Sequence, residues 1–415
     1  MSEWRRIAIS KVAIHKGIAG GPFGSSLGSK DYVPSGVPVI RGSNLGSKGK
    51  FDGTDFVFVT PEKTNGQLSR NLAIPGDVVF TQRGTLGQVG IVPSGRYETY
   101  VISQSQMRLR VNQTLTSPEF IYYQFRSPEM IAEIRNRAIT TGVPHINLGI
   151  LSSLEITLPP IGVQQGIVAV LGALDDKIAV NERIAATALE LADLHFSVVH
   201  QSATASTTLG QVVKSGGLSL GDGYRTKRAE HGRRGVPILR VAEVGDNEIH
   251  PTREDRVREE FRPAMGGKVS RPGDIVLTTK GTVGRCAMIP PGSLEFVYSP
   301  QLCYFRTGSN SILPRNFLFH WFRGREFWRQ AEVLKGQTDM ADYLSLNDIR
   351  SLEISVPDEI SVIEFEEKVG LLRSRMEAAA SENTALAALR DTLLPQLMSG
   401  RLRVKDAEKI VEDHA

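Results

Sequence analysis

Residues 75–93 read PGDVVFTQRGTLGQVGIVP, and residues 272–290, which begin 197 positions later, read PGDIVLTTKGTVGRCAMIP. A match of this length is not a product of composition. Other stretches recur in the same order and at nearly the same offset: VPVIRGSNL at 37–45 with VPILRVAEV at 236–244, and FIYYQFR at 120–126 with FLFHWFR at 317–323. The chain therefore contains one structural unit twice, and two copies usually offer two equivalent surfaces.

Each copy has the pattern of a mixed α+β domain. Short runs rich in Val, Ile and Phe, broken by Gly and Pro, predict strands joined by tight turns. In the first copy these predicted strands are 37–41, 56–60, 77–82, 89–92 and 107–111. Apolar residues at helical spacing predict one helix over Glu119–Arg137, and a loop (140–145) and a strand (154–158) follow. The second copy repeats this order, so the predicted fold class is α+β with two repeated domains.

A different pattern follows each copy, with apolar residues at alternating steps of four and three. We call these residues the seam; its main positions are Leu171, Leu174, Ile178 and Asn181 after the first copy and Val369, Leu372, Met376 and Asn383 after the second. Such spacing predicts a coiled coil. We expect the two long helices to pair antiparallel and form a spacer between the domains. The alternative is two separate amphipathic helices, each packed on its own domain.

Several positions qualify this spacer prediction. Asn181 and Asn383 fall on the seam, where a buried Asn fixes register at a cost in stability, although local slippage would expose both. Gly166 and Gly172 each weaken the first helix by about 1 kcal/mol relative to Ala. Pro395 and Gly400 are predicted to end the second helix.

The boundaries follow from these changes of pattern. They are a first domain (1–158), a central spacer helix (159–200), a second domain (201–357), a distal spacer helix (358–404) and an acidic tail (405–415) that we expect to be disordered. Residues 1–160 hold 17 Lys and Arg against 11 Asp and Glu, and residues 200–357 hold 22 against 17. Basic domains joined by acidic segments favour a polyanionic partner over simple solvation.

The composition excludes several classes of protein. Two cysteines cannot build a disulfide framework, and the absence of a signal-like or membrane-spanning apolar run predicts a cytoplasmic protein. Gly21–Lys30, GPFGSSLGSK, has the glycines of a phosphate loop but lacks the Gly-Lys-Ser/Thr ending. Asp358 with Glu366 and Lys368 spells a nuclease-like string, but helix capping and surface charge explain it better. No metal-ligand cluster or nucleophile elbow is present, so the sequence predicts binding and no catalysis.

With these residues in view, the chain resembles the specificity subunit of a Type I restriction-modification enzyme. The resemblance is carried by PGDVVFTQRGTLG at 75–87 and PGDIVLTTKGTVG at 272–284. Further matching motifs are GPFGSSL at 21–27, GQTDMADYLSLNDI at 336–349 and LRDTLLPQLMSGRLRV at 389–404. The resemblance covers nearly the whole chain. It implies two target-recognition domains, each reading one half of a split DNA sequence, separated by an antiparallel helical spacer.

The resemblance also implies partners. By the family pattern, the spacer would dock two modification (methyltransferase) subunits, and restriction subunits, which translocate DNA, would join through these. The chain would then direct adenine methylation and restriction without cofactors of its own, while S-adenosylmethionine and ATP would bind the partner subunits. Two domains one helical turn apart can enter successive major grooves of one duplex, which fits a bipartite target with two different half-sites.

Candidate DNA contacts lie in the matched turns and loops. Gln and Arg suit the edges of adenine and guanine, and basic residues suit phosphates. The candidates are Gln82, Arg83, Thr85, Thr141 and His145 in the first domain, and Lys280, Thr282, Gln337, Thr338, Arg225, Lys227 and Arg228 in the second. The shared turns have an equally good structural explanation, in which they shape the fold and other residues read bases.

Two other functions compete with DNA targeting. A stand-alone DNA-binding protein, architectural or regulatory, would need no methyltransferase partner. An enzyme in its own right would need a catalytic cluster that the sequence does not show.

Overall fold

The computed structural model describes residues 4–46, 49–252, 254–335 and 342–413. The chain divides into two compact units, Met1–Val180 with Glu382–Ala415, and Asn181–Ser381. Each of the two long helices therefore contributes one part to the first unit and another part to the second.

Within its described residues, the first domain contains ten strands and four short helices before the long helix begins. The strands are β1 (Arg5–Ala8), β2 (Ala13–Gly20), β3 (Val37–Ile40), β4 (Val57–Val59), β5 (Leu72–Ala73), β6 (Val78–Thr81), β7 (Val89–Ile91), β8 (Tyr100–Ile102), β9 (Gln106–Val111) and β10 (Glu155–Leu158). The helices are α1 (Pro61–Asn65), α2 (Pro118–Arg126), α3 (Pro128–Arg137) and α4 (Leu148–Ser153), and the long helix is α5 (Ile161–Gln201).

The second domain follows the same plan. Its strands are β11 (Ala205–Thr208), β12 (Leu218–Asp222), β13 (His231–Leu239), β14 (Arg256–Val257), β15 (Ile275–Thr278), β16 (Cys286–Met288), β17 (Val297–Tyr298), β18 (Leu302–Thr307) and β19 (Glu353–Val356). Its helices are α6 (Leu209–Lys214), α7 (Arg262–Met265), α8 (Arg315–Arg323), α9 (Arg325–Lys335) and α10 (Leu346–Ser351). The second long helix is α11 (Glu359–Met398), and α12 (Val404–Glu412) comes last.

The sheets of the two domains have matching strand orders, except that the first domain has one additional edge strand, β5. In the first domain one sheet has the order β2-β9-β6-β7 and another the order β4-β3-β8-β5, while β1 pairs with β10. The second domain has β12-β18-β15-β16, β14-β13-β17 and β11-β19. In both copies one neighbouring pair is parallel, β3 with β8 and β13 with β17. The predicted α+β repeat is confirmed.

The duplicated Pro-Gly-Asp sequence has a structural purpose. Asp77 accepts two hydrogen bonds from Arg110, at 2.7 and 2.8 Å, and Asp274 accepts the same pair from Arg306 at 2.7 and 2.6 Å. Both carboxylates are 1% exposed, so each needs a cationic partner to offset its desolvation. This part of the repeat therefore fixes the fold, as the structural explanation of the repeat expects.

The single helix predicted over Glu119–Arg137 is two helices, so that prediction was wrong. Ser127 separates α2 from α3, because Pro128 has no N–H to continue the first helix and restrains the residue before it. Ser127 instead caps the new helix, accepting a hydrogen bond from the Met130 N–H at 3.3 Å.

The two long helices pack against each other, and in the first unit they run antiparallel. Asp175 bonds Arg390 at 2.8 Å, and the carbonyl of Ile178, further along α5, accepts from Asn383, earlier in α11, at 3.3 Å. Asn181 is buried, as its seam position predicts. Leu171, Leu174, Val369 and Met376 are also buried, and Ile178 and Leu372 are partly buried against the same cores. The seam positions therefore pack wholly or partly inside the protein.

The predicted end of the second long helix requires correction. Pro395 lies inside α11, which continues to Met398, and it is Gly400, at φ +72°, that follows the end of the helix.

The tail, which was predicted to be disordered, forms α12. Its Ala407 is fully buried, and Val404, Ile410 and Val411 pack on the core of the first unit. Its apolar residues at helical spacing supply the face that this packing needs.

Candidate nucleic-acid interface

Three segments of the first domain meet at one place, which we call its loop edge: the turn 82–85, the turn 103–106 and the segment 139–146. The Gln82 N–H donates to the Ser105 carbonyl at 2.7 Å, and the Gln82 carbonyl accepts from the Ile146 N–H at 2.9 Å. Arg83 forms an isolated β-bridge with His145. The two matched elements that the sequence singled out are thus brought together by backbone hydrogen bonds.

The second domain builds the same loop edge from residues 279–282, 299–302 and 342–344. The Thr279 N–H donates to the Gln301 carbonyl at 2.9 Å, and the Thr279 carbonyl accepts from the Leu344 N–H at 2.9 Å. Lys280 bridges to Tyr343, and its ammonium nitrogen lies 5.8 Å from the centre of the Tyr343 ring. Gln337 and Thr338 lie outside the described residues.

Glycine is required at both turns by backbone geometry. Gly84 has φ +98° and Gly281 has φ +82°, a region that other residues adopt at a cost. The glycines of the repeat therefore shape the turns. The side chains beside them are free to differ, and Arg83, Thr85, Lys280 and Thr282 are all exposed.

A fourth segment joins each loop edge where β2 or β12 ends. The Gly21 N–H donates to the Gln106 carbonyl at 2.8 Å, and the Gly223 N–H donates to the Leu302 carbonyl at 3.1 Å. Arg225, Lys227 and Arg228 come directly after Gly223 and are exposed. The basic cluster found in the second copy alone is thus placed at the loop edge.

The first domain has a different segment at that place. The Gln104 side-chain amide donates to the carbonyls of Gly24 and Leu27, both at 2.6 Å, and so holds the turn that contains Phe23. Gln104 and Phe23 were not selected from the sequence as DNA contacts. The signal was present in GPFGSSL, where an aromatic residue stands between two glycines.

The charges at the loop edges suit a polyanion. Within the residues that the structure describes, Arg83, Arg225, Lys227 and Arg228 form no ion pair, whereas many other cations of the chain do. Exposed cations without acidic partners are available to phosphate groups. Thr141 is exposed in the same loop as His145, whose ring nitrogen Nδ1 lies 3.1 Å from the Val143 carbonyl.

The nuclease-like string is accounted for by capping. Asp358 accepts from the Ser361 N–H at 3.0 Å at the start of α11, and Glu366 accepts from the N–H groups of Asn316 and Phe317 at the start of α8. Lys368 pairs with Glu364 on the helix surface. Across the described ranges, no group of three or more His, Cys, Asp and Glu side chains is arranged to hold a metal ion.

The first domain is similar in sequence to a known protein family. Residues 29–190 match the family model described as the Type I restriction modification DNA specificity domain. Over this range the chain is similar to the specificity proteins of Type I restriction-modification systems. The matched range includes the turns 82–85 and 103–106 and the segment 139–146 of the first domain, and the segment that contains Phe23 lies before it.

Two relatives and one solved structure are also similar to this chain. The MjaVIII specificity subunit of Methanocaldococcus jannaschii is 20% identical over 74% of this chain and 75% of its own length. The HindI specificity subunit of Haemophilus influenzae is 32% identical over 25% of this chain and 24% of its own. The crystal structure of an S subunit from M. genitalium covers 95% of this chain and 96% of its own with a TM-score of 0.55 and 16% identity, which shows a shared fold.

No helix among the described residues is long and apolar enough to cross a membrane.

Proposed function

We propose that this chain is the non-catalytic DNA-recognition subunit of a restriction-modification complex, which it directs to a bipartite duplex target with two different half-sites. One observation carries the proposal: the same backbone hydrogen bonds build a loop edge twice, and the exposed side chains on the two edges differ. Two half-sites of different sequence would require the same backbone arrangement at both loop edges and different side chains on each.

The differences between the edges indicate different base preferences. Gln82 and Arg83 suit adenine and guanine in the major groove, while Lys280 offers a compact ammonium group, without the planar fork of arginine, at the equivalent turn. The cluster Arg225, Lys227 and Arg228 adds phosphate contacts to the second edge. We expect the first half-site to depend more on base contacts and the second more on the phosphate backbone.

Methyl transfer and DNA cleavage would belong to partner subunits, which would also bind S-adenosylmethionine and ATP. A base inside a duplex is out of reach of a methyltransferase, so the partner would extrude the target adenine while this chain holds the flanking sequence. The role of this chain is to position the complex on DNA.

An exposed apolar face on α5 supports a protein partner over the stand-alone alternative. Leu191, Leu194 and Val198 recur at helical spacing, and the last two are 65% and 69% exposed. Large exposed apolar patches mark interaction sites. We expect Leu194→Glu with Val198→Glu to abolish co-purification with the methyltransferase subunit without altering the circular dichroism spectrum. Thr187→Glu, on an exposed position of the same helix, should leave co-purification intact.

The decisive experiment is co-expression with the methyltransferase subunit of the same system in a host that lacks DNA methylation. Methylated adenines are then mapped across the genome by single-molecule sequencing. A split motif that appears when both proteins are made would establish the function and give both half-sites. Co-purification without methylation would count against targeting of methylation, and the absence of co-purification would favour a stand-alone DNA-binding protein.

A further inference from the structure

Phe23 is the most exposed of the large apolar side chains that the structure describes as solvent-facing, at 86%. It stands in the turn that joins the loop edge of the first domain. Almost the whole apolar surface of the ring is therefore available to a partner, and its burial there would be favourable.

The backbone around Phe23 is fixed on both sides. Before it, Gly21 bonds Gln106, and a Cβ atom at Gly21 would lie 1.9 Å from the Ser103 carbonyl oxygen, so the chain passes too close for any other residue. After it, Gln104 holds the carbonyls of Gly24 and Leu27. The ring is therefore presented from a defined position.

That position adjoins the candidate base-reading turn. The turn 103–106 holds the Phe23 segment through Gln104 and Gln106, and it holds Gln82 through the Ser105 carbonyl. Phe23 and Gln82 thus flank one turn, and a duplex that contacts Gln82 and Arg83 would lie beside the exposed ring.

The second domain supplies a comparison. Gly223 occupies the place of Gly21, since it bonds the start of β18 as Gly21 bonds the start of β9, and a Cβ atom on it would lie 2.0 Å from the Ser299 carbonyl oxygen. Two residues further, Arg225 stands where the first domain has Phe23. The same structural position carries an aromatic ring in one copy and an exposed guanidinium in the other.

We propose that Phe23 contacts DNA through an apolar surface of a base in the first half-site, and that Arg225 makes the equivalent contact, through charge, in the second. The inference rests on the proposed function and adds a specificity-determining residue to it. Phenylalanine meets bases in two known ways, by packing on the methyl group of thymine in the major groove or by wedging between base steps.

The test uses the full chain purified with its methyltransferase subunit, and a randomised duplex library as the probe. Wild-type protein, Phe23→Ala and Phe23→Leu are each taken through selection, and affinity is then measured on the wild-type motif. Phe23→Ala should lose about tenfold or more in affinity. It should relax the first half-site and leave the second unchanged, and Phe23→Leu should recover part of the loss.

Leu115→Ala, at another exposed apolar position of the first domain, is the matched control and should select the wild-type motif at wild-type affinity. Unchanged affinity and motif in Phe23→Ala would overturn the inference while the proposed function stands. Failure of the wild-type complex to select any split motif would overturn the proposed function, and the inference with it.

Two modified duplexes identify the kind of contact. If Phe23 packs on a thymine methyl group, replacing one thymine of the first half-site with uracil should weaken wild-type binding and leave Phe23→Ala unaffected. If the ring wedges between bases, 2-aminopurine placed in the first half-site should brighten with the wild-type complex and not with Phe23→Ala. Neither effect at any position of the half-site would overturn the base contact.

Discussion

The hydroxyl of Tyr123 donates a hydrogen bond to the carboxylate of Asp175 at 2.7 Å, which ties α2 of the first domain to α5. His320 is the residue at the same position of the second copy, and its Nδ1 lies 2.6 Å from Asp193, also on α5. Burial and the nearby carboxylate raise the pKa of Tyr123, so its hydroxyl remains a donor. Each copy thus binds a carboxylate of α5 with a different side chain at one equivalent position.

We predict that Asp175→Ala destabilises the first unit by about 3 kcal/mol, because it leaves the buried Tyr123 hydroxyl without its acceptor and removes one of the two carboxylates bound by Arg390, which keeps only Asp391. Amide hydrogen exchange in α2 measures this loss for the first unit separately. Asp176→Ala is the control: Asp176 is 79% exposed and lies 3.9 Å from Lys50, so its loss should cost less than about 0.5 kcal/mol. Equal effects of the two variants would contradict the anchoring role of Asp175.

Local spacing predicted the two long helices and six strands of the first domain, β3, β4, β6, β7, β9 and β10, but not β1, β2, β5 and β8. The repeat was predicted from matched sequence stretches. FIYYQFR and FLFHWFR identified α2 and α8 as equivalent, but spacing gives no information about which residue Tyr123 would meet, since Asp175 is 52 positions away. The tail was predicted to be disordered because the prediction considered its acidic charge and not the helical spacing of its apolar residues. Phe23 was not predicted because its glycine-flanked segment was considered as a phosphate loop and as a family motif, and not as a site of DNA contact.

Two glycines of α5, Gly166 and Gly172, differ in how much space surrounds them. A Cβ atom at Gly166 would lie 2.8 Å from a methyl carbon of Val404 in α12, whereas at Gly172 the nearest atom, the Tyr123 hydroxyl oxygen, is 4.0 Å away. The Gly166 position is therefore explained by the close approach of α12.

We predict that Gly172→Ala raises the free energy of unfolding by up to about 1 kcal/mol through helix propensity. Gly166→Ala should lower it, since the new methyl group displaces α12 and exposes Ala407. Combining Gly166→Ala with Val404→Ala should recover part of the loss. Urea titrations compare the three variants, and a stabilising Gly166→Ala would refute the packing of α12.

Glu326 connects three elements of the second unit, through His200 of α5, Trp321 of α8 and Ser355 of β19. Burial by itself would raise the pKa of Glu326, but hydrogen bonds from His200, Ser355 and Trp321 outweigh it and lower the pKa to about 2. A depressed pKa in the folded state gives stability that is complete above the unfolded value near 4.5 and is lost as the pH falls toward 2.

We therefore predict that Glu326→Gln costs on the order of 3 kcal/mol at pH 7, and that its difference from wild type shrinks between about pH 4.5 and pH 2. Thermal unfolding followed across this pH range provides the measurement. Glu332→Gln, on the same helix but paired with Lys335 at the surface, should show no such convergence. A pH-independent deficit in Glu326→Gln would mean that the hydrogen bonds act without the charge.

Removing a cationic side chain from one loop edge should weaken recognition of one half-site and leave recognition of the other unchanged. Arg83→Ala should relax the selected sequence in the first half-site by about 1–3 kcal/mol per affected base pair and leave the second unchanged. Lys280→Ala should affect the second half-site alone. Two exposed residues, Arg5 of β1 and Lys214 of α6, give charge-matched controls as Arg5→Ala and Lys214→Ala.

Methylation mapping of each variant reads both half-sites in one experiment, because every methylated adenine reports its own flanking sequence. Relaxation confined to one half-site identifies Arg83 or Lys280 as a base reader. A uniform fall in methylation at both half-sites, with a smaller dependence of binding on salt concentration, identifies the side chain as a phosphate contact instead. No change in either half-site would remove the turn residue from the interface and leave the base reading to the side chains of the flanking segments.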